Sequence, residues 1–270
     1  MADFTRQDLA GARFEQVDLT GARFRNVDLT HAVIRGALLV NVEIDGLLQD
    51  VTVNGVDVVP LVEAELDRRY PDRAKMRPAD ADGYRQAWEI LARLWQQTVD
   101  RARGMDPDLL HERVDDEWSF LETLRHLVFA DDIWVGRMLS DEPGTFHPLG
   151  VPPTDTTDAG AAQMGLTLSA RAPFVEVADL HQDRRRRFTA LLDGVADVDL
   201  FEVRTAVLAP DWGEESFPVF ECLRVVIGEH AEHLRFALRD LAVLEARPVG
   251  GVHAGSSSPS SQTASSESTR

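Results

Sequence analysis

The sequence predicts an α+β chain in two parts, a short solenoid of five-residue sides followed by an all-helical bundle. Three observations carry that expectation. Apolar residues recur at every fifth position through the first 45 residues, a period that neither a helix (3.6) nor a strand (2) produces. From about residue 80 to about 245 the apolar spacing is helical instead. Between the two, Asn54-Gly55 and the prolines at 60, 71 and 78 mark turns and breaks.

The five-residue period runs through Phe4, Leu9, Phe14, Leu19, Phe24, Leu29, Ile34, Leu39 and Ile44. Two positions before each stands a small or modest side chain: Ala2, Gln7, Ala12, Val17, Ala22, Val27, Ala32, Ala37, Val42. A coil with four five-residue sides accounts for this, each central residue pointing inward and stacking on its equivalent 20 residues later. Gln49 puts a polar group at the next inward position and ends the pattern. These nine pentads resemble the pentapeptide-repeat family, which implies a right-handed quadrilateral β-helix over residues 1–46. About two coils are short for a solenoid, whose units cannot bury their faces alone, so the segment is expected to dock on the rest of the chain. Residues 47–79 then read as a hairpin around Asn54-Gly55, a short helix after Pro60, and a linker from Tyr70 to Ala79.

The bundle covers residues 80–245. A first helix near 82–103 lines up Trp88, Leu91, Trp95 and Thr98 or Val99 on one face. A second begins at Ser119, where Ser-x-x-Glu122 matches a capping box, and carries Leu124, Val128 and Val135 beside His126. Periodicity fails between 141 and 173, a connection rich in Pro, Gly, Thr and Ala that reads as a lid or a crossover. Helices near 174–193 and 217–244 complete a four-helix bundle. The segment 246–270 is a serine-rich, low-complexity tail expected to be disordered.

Composition narrows the function. A net charge of −18 argues against a nucleic-acid partner, which calls for a basic footprint. No apolar run approaches membrane-spanning length, and Met1-Ala-Asp-Phe-Thr-Arg lacks a basic-then-apolar leader. Cys222 is the single cysteine, which excludes an internal disulfide and fits a reducing, cytoplasmic setting. Some pentapeptide-repeat proteins mimic DNA through an acidic solenoid and bind topoisomerases. Residues 1–46 hold seven acidic and five basic side chains, a net of −2 that is too small for such a display. A repeat that docks a partner or a second copy, giving a homodimer, is left open, with the bundle then holding a structural or vestigial metal.

The chemistry concentrates in Ile227-Gly-Glu-His-Ala-Glu-His233. Glu229 and His233 are four apart and share one helix face, so both can aim at a single point. His126, in the apolar stripe of the second helix, is the third candidate ligand. Three protein ligands inside a bundle leave one position open, as in catalytic zinc sites. A lone histidine on an apolar helix is more often a satisfied core residue, which is the competing interpretation. Trp118-Ser-Phe-Leu-Glu-Thr-Leu-Arg-His126, with Glu229-x-x-x-His233-Leu-Arg-Phe-Ala-Leu-Arg-Asp-Leu241, resembles the DinB-like family of metal-binding four-helix bundles. Many members use three histidines, whereas the branch containing mycothiol-dependent maleylpyruvate isomerase uses His, Glu, His, matched here by His126, Glu229 and His233. The resemblance implies a divalent metal, zinc or nickel, and thiol S-transferase or isomerase chemistry with a low-molecular-weight thiol and a small-molecule substrate.

Other residues also bear on the same site. His230, three before His233, is the alternative ligand if the helix is rotated about its axis. Glu232 points away and is expected in solvent. No separate general base stands out; His111, His147 and Asp211 fall in or near loops. Trp212 either walls the pocket or is a plain turn aromatic, the second being favoured. Arg184 to Arg187 point all around their helix, so at most two share a site, and a solvated surface is the expectation. Cys222 is expected to be packed rather than nucleophilic.

Overall fold

A computed structural model describes residues 3–140, 144–210 and 212–247, and the chain divides into two compact units at Gln49/Asp50. The tail from 248 onward and Asp211 lie outside the described residues.

In the first unit the five-residue period is written into the backbone. Arg6, Gly11, Gln16, Gly21, Asn26, His31, Gly36 and Asn41 all have φ between 48° and 75°, each two residues after a pentad centre. Five of these are not glycine, so the left-handed corner is imposed by the repeat rather than by residue preference. A ten-residue alternation, not anticipated from the apolar spacing, overlies it. The Asp8, Asp18 and Asp28 carboxylates accept from the N–H groups of Ala10, Thr20 and Thr30 at 2.8–2.9 Å. In the same pentads Ala12, Ala22 and Ala32 donate to Leu9, Leu19 and Leu29 at 2.9 Å, closing the turns. The expected inward stacking is not seen: the nine central residues are 43–76% exposed, and no strand occurs among the described residues of this unit. About two coils supply too few neighbouring rungs to enclose their own centres.

The second unit begins with strands β1 (Thr52–Val53) and β2 (Val56–Asp57), antiparallel, joined by Asn54 and Gly55 at φ 51° and 80°. Two positive φ values make the turn that matches strand twist. Helix α1 (Val59–Arg69) follows with Pro60 in its first turn, where the missing N–H costs no helical bond. The stretch expected to be a linker contains a 3₁₀ turn, Arg73–Met76, tied to α1 by Arg73 with Glu63 at 2.7 Å and Asp67 at 2.8 Å.

Helix α2 (Ala81–Arg103) starts where the Asp80 carboxylate accepts the Gly83 N–H, and it buries Trp88, Leu91, Trp95 and Val99. Helix α3 (Phe120–Ile133) has the full capping box: Ser119 Oγ accepts from Glu122 N–H, and the Glu122 carboxylate accepts from Ser119 N–H. Every α3 residue except Glu122 is buried, so Arg125, His126, Asp131 and Asp132 must all be satisfied inside the protein. The helix runs on through a π-helical turn, Trp134–Leu139, a feature often found beside functional sites.

The long connection contains α4 (Asp158–Gln163) and leads to α5 (Phe174–Gly194). A hairpin of β3 (Val203–Val207) and β4 (Glu214–Pro218) precedes α6 (Val219–Glu245). This hairpin corrects the all-helical expectation for 80–245. Burial alternates along Val203–Val207, but both valines fall on the exposed face, so the apolar spacing carries no period-2 signal for the hairpin. Arg137 of the π turn fastens it, donating to the Val207 carbonyl at 2.8 and 3.0 Å. In the bundle α3 packs between α5 and α6, and α2 closes the other side against the same two helices.

Candidate metal centre

Helices α3 and α6 bring His126, Glu229 and His233 together, one ligand-type atom from each lying within 4.8 Å of the others. His126 Nε2 is 3.3 Å from Glu229 Oε2, and the two imidazole rings are 4.8 Å apart between centroids. The histidine side chains are 8% and 16% exposed and Glu229 is 32% exposed, so the cluster opens to solvent on the carboxylate side.

The tautomers follow from the main chain. His126 Nδ1 lies 2.9 Å from the Val151 carbonyl, and His233 Nδ1 lies 2.9 Å from the Glu229 carbonyl one turn back. A carbonyl only accepts, so each Nδ1 carries a proton and Nε2 is the nitrogen left to bind a ligand. His126 Nε2 then faces the Glu229 carboxylate, and the two can meet only through a proton carried on that nitrogen or through a cation held between them. Histidine ligands in metal sites are held in this way, by donating the other ring nitrogen to a carbonyl or carboxylate.

The charges agree with a cation site. Burial works to raise the Glu229 carboxyl, but the His126 hydrogen bond and the surrounding imidazoles hold it below the usual carboxylate range. Burial and the neighbouring His126 push His233 down to about 4, against the pull of Glu229. At neutral pH the cluster therefore offers a carboxylate and a neutral His233, donors suited to a borderline divalent ion.

Aromatic rings flank this cluster. The Trp118 indole lies over His126 at 4.4 Å and over His233 at 5.9 Å, and Phe236 meets His233 edge-on at 6.1 Å. Trp118 was visible in the sequence only as part of the motif; its place one residue before the α3 cap is the signal that points to it. Trp212 is 44% exposed in the β3–β4 turn, as a plain turn aromatic would be.

His230 does not join the cluster. It is fully buried, with Nε2 3.1 Å from Asp131 Oδ1, and its ring packs edge-on to Trp88 and stacks on His181 at 5.6 Å. The alternative ligand set is thus corrected by a carboxylate on α3 that turns this imidazole to a different face of α6. His147 is engaged elsewhere: its N–H donates to Asp132 and its Nδ1 accepts from Leu149 N–H. His111 lies in a 3₁₀ turn, Leu109–His111, and Asp211 is outside the described residues. Glu232 is exposed and paired with Arg235. Cys222 is buried, its thiol pushed up to about 11 by desolvation, which fits a packing role.

The arginine run is half corrected. Arg184 and Arg185 are buried; Arg186 and Arg187 are the exposed pair. Arg184 Nε donates to Asp132 at 2.6 Å, and Arg185 donates to the Ala92 carbonyl at 2.8 Å.

His181 is fully buried between these elements, with neither ring nitrogen hydrogen-bonded to protein. Desolvation first, then the nearby His230 and Arg185, hold it well below its ordinary 6.5. The folded protein keeps His181 neutral while the unfolded chain takes up a proton near 6.5. Unfolding should therefore become easier as pH falls below that value, with no contribution from His181 above it. Urea midpoints of metal-free protein between pH 5 and pH 8 should fall on the acid side, and His181→Phe should flatten that slope. An unchanged slope in the variant would assign the acid lability to other groups.

A four-helix bundle with a long second connection and a His, Glu, His cluster between α3 and α6 belongs to the class of bundle proteins with an interior metal-type site. Residues 90–237 match the DinB superfamily, and the chain belongs to it; residues 2–39 match eight copies of the pentapeptide repeat. No curated protein and no solved structure matches the chain. Among the described residues no helix is long and apolar enough to cross a membrane.

Proposed function

We propose that this protein is a metal-dependent enzyme that activates a low-molecular-weight thiol of the mycothiol kind, for transfer to a small electrophile or for its isomerisation. The observation that carries this reading is the His126 Nε2 held 3.3 Å from the Glu229 carboxylate, with its Nδ1 committed to a carbonyl. His126, Glu229 and His233 would hold a zinc or nickel ion, which when bound would lower the pKa of a thiol or water and so supply a nucleophile at neutral pH. Glu229 provides the negative charge that partly offsets the ion. His126 and His233 provide nitrogen donors, oriented by main-chain carbonyls. Trp118 walls one side and offers a flat apolar surface to the substrate. A cytoplasmic setting fits the single buried cysteine, and the substrate is a small molecule rather than a nucleic acid or a membrane.

The test is calorimetric titration of zinc-loaded and metal-free full-length protein with a low-molecular-weight thiol. Binding with proton release by the zinc form alone is expected. Equal binding, or none, by both forms would overturn the thiol chemistry.

We also infer that the repeat adopts the right-handed quadrilateral β-helix of its family. The left-handed corner at every fifth residue supports this. Exposed apolar side chains off the pentad centres, Leu38 and Leu47 among them, favour a second role for that segment as a docking or dimerisation surface.

A further inference from the structure

Arg125 and His126 are consecutive on α3, and both are buried. The Arg125 guanidinium donates to main-chain carbonyls: Leu149 at 2.7 Å, Thr167 and Ala170 at 2.8 Å, and Leu168 at 3.4 Å. These acceptors come from two stretches of the α3–α5 connection, one before α4 and one after it. A planar fork with five donors can bridge two such stretches at once; a side chain with one donor atom cannot.

Between the stretches lies the segment that meets the candidate ligand. Val151 N–H donates to the Arg125 carbonyl at 3.1 Å, and the Val151 carbonyl accepts from His126 Nδ1 at 2.9 Å. Val151 precedes Pro152, which biases it towards extended backbone and so limits the directions its carbonyl can take. Gly150 allows the close approach: a Cβ there would stand 3.2 Å from the His147 carbonyl and 3.3 Å from both Leu166 and Phe129.

We propose that Arg125 is a positioning residue for the metal centre. By clamping Leu149 and residues 167–170 to α3, it presents the Val151 carbonyl to His126 Nδ1 and fixes the tautomer and the orientation of that ring. The connection is thus a strap that completes the site rather than a lid that opens over it. The effect on metal binding rests on His126 being a ligand; the effect on the tautomer does not.

The test compares full-length wild type with Arg125→Met and Arg125→Lys. Long-range ¹H–¹⁵N spectra of the metal-free proteins report which His126 nitrogen carries the proton. Hydrogen exchange reports the Val151 amide, and competition against a chromophoric chelator gives the zinc affinity. In Arg125→Met the Val151 amide should exchange faster and His126 should populate both tautomers. Zinc should bind about 10- to 100-fold more weakly, the range for losing a group that orients a ligand. Arg125→Lys should fall between, because one ammonium cannot span both stretches. A residue that is only structural would lower the melting temperature and leave the tautomer unchanged. Folded variants with the wild-type tautomer would therefore overturn the proposal, and if Arg125→Met does not fold, Arg125→Lys decides. Wild type that binds no zinc would sink the metal reading, while the tautomer would still judge Arg125.

Discussion

Alanine at His126 or at His233 should abolish tight zinc binding while leaving the metal-free protein folded. Each change removes one of three donors, so the loss should exceed the roughly 10- to 100-fold that removal of an orienting partner brings. The fold should survive because the core does not depend on the cluster. Trp95, Leu91, Leu124, Leu127, Ile227 and Leu241 are each 2% exposed or less and form an apolar core. Removing the His126 ring takes away its hydrogen bond to Glu229, but that carboxylate is 32% exposed and can be hydrated instead, so the metal-free variant should lose little stability. The two effects separate in a thermal scan. Zinc at about 100 times its Kd should stabilise wild type by about 2.7 kcal/mol and either variant by almost none. Retention of wild-type zinc stabilisation by either variant would remove that residue from the ligand set.

The largest effect on stability is expected at a different buried charge. Arg184 of α5 and Asp132 of α3 are 9% and 7% exposed at their side chains and meet at 2.6 Å. Asp132 also accepts the His147 N–H at 2.8 Å, which ties the start of the long connection to the bundle. Breaking such a pair by removing one partner leaves a desolvated charge, at a cost of about 3–5 kcal/mol. Arg184→Met should therefore lower the unfolding free energy, measured by urea denaturation, by that amount. Arg184→Met combined with Asp132→Leu should recover part of it, since both charges are then gone and only the His147 amide lacks its acceptor. A loss below about 1 kcal/mol in the single variant would mean that water reaches the pair and screens it.

How much of this was legible in the sequence depended on where the information lay. Local periodicity carried the four long helices, the capping box at Ser119 and the Asn54-Gly55 turn, because each is decided by residues within one or two turns of chain. The pairing of Glu229 with His233 was legible for the same reason. Convergence with His126, 103 residues away, was not; it came from resemblance to a family. His230 was misassignable because its direction is set by Asp131 on another helix, and both residues sit in sequences that look ordinary. Arg184 and Arg185 looked like surface because charge runs usually are; α5 is buried deeply enough to need both. The Arg125 clamp was invisible for a plainer reason: its acceptors are main-chain carbonyls, which have no side-chain signature. In the repeat, the period was legible to the residue, whereas enclosure of its centres was not, since that depends on neighbouring coils the short segment lacks.

The most direct test is the metal content of tag-free, full-length protein after dialysis against zinc and removal of loosely bound ion. One equivalent of zinc per chain, lost from His126→Ala, is the expected result. No retained zinc in wild type, or one equivalent retained equally by the variant, would contradict a metal centre at His126, Glu229 and His233.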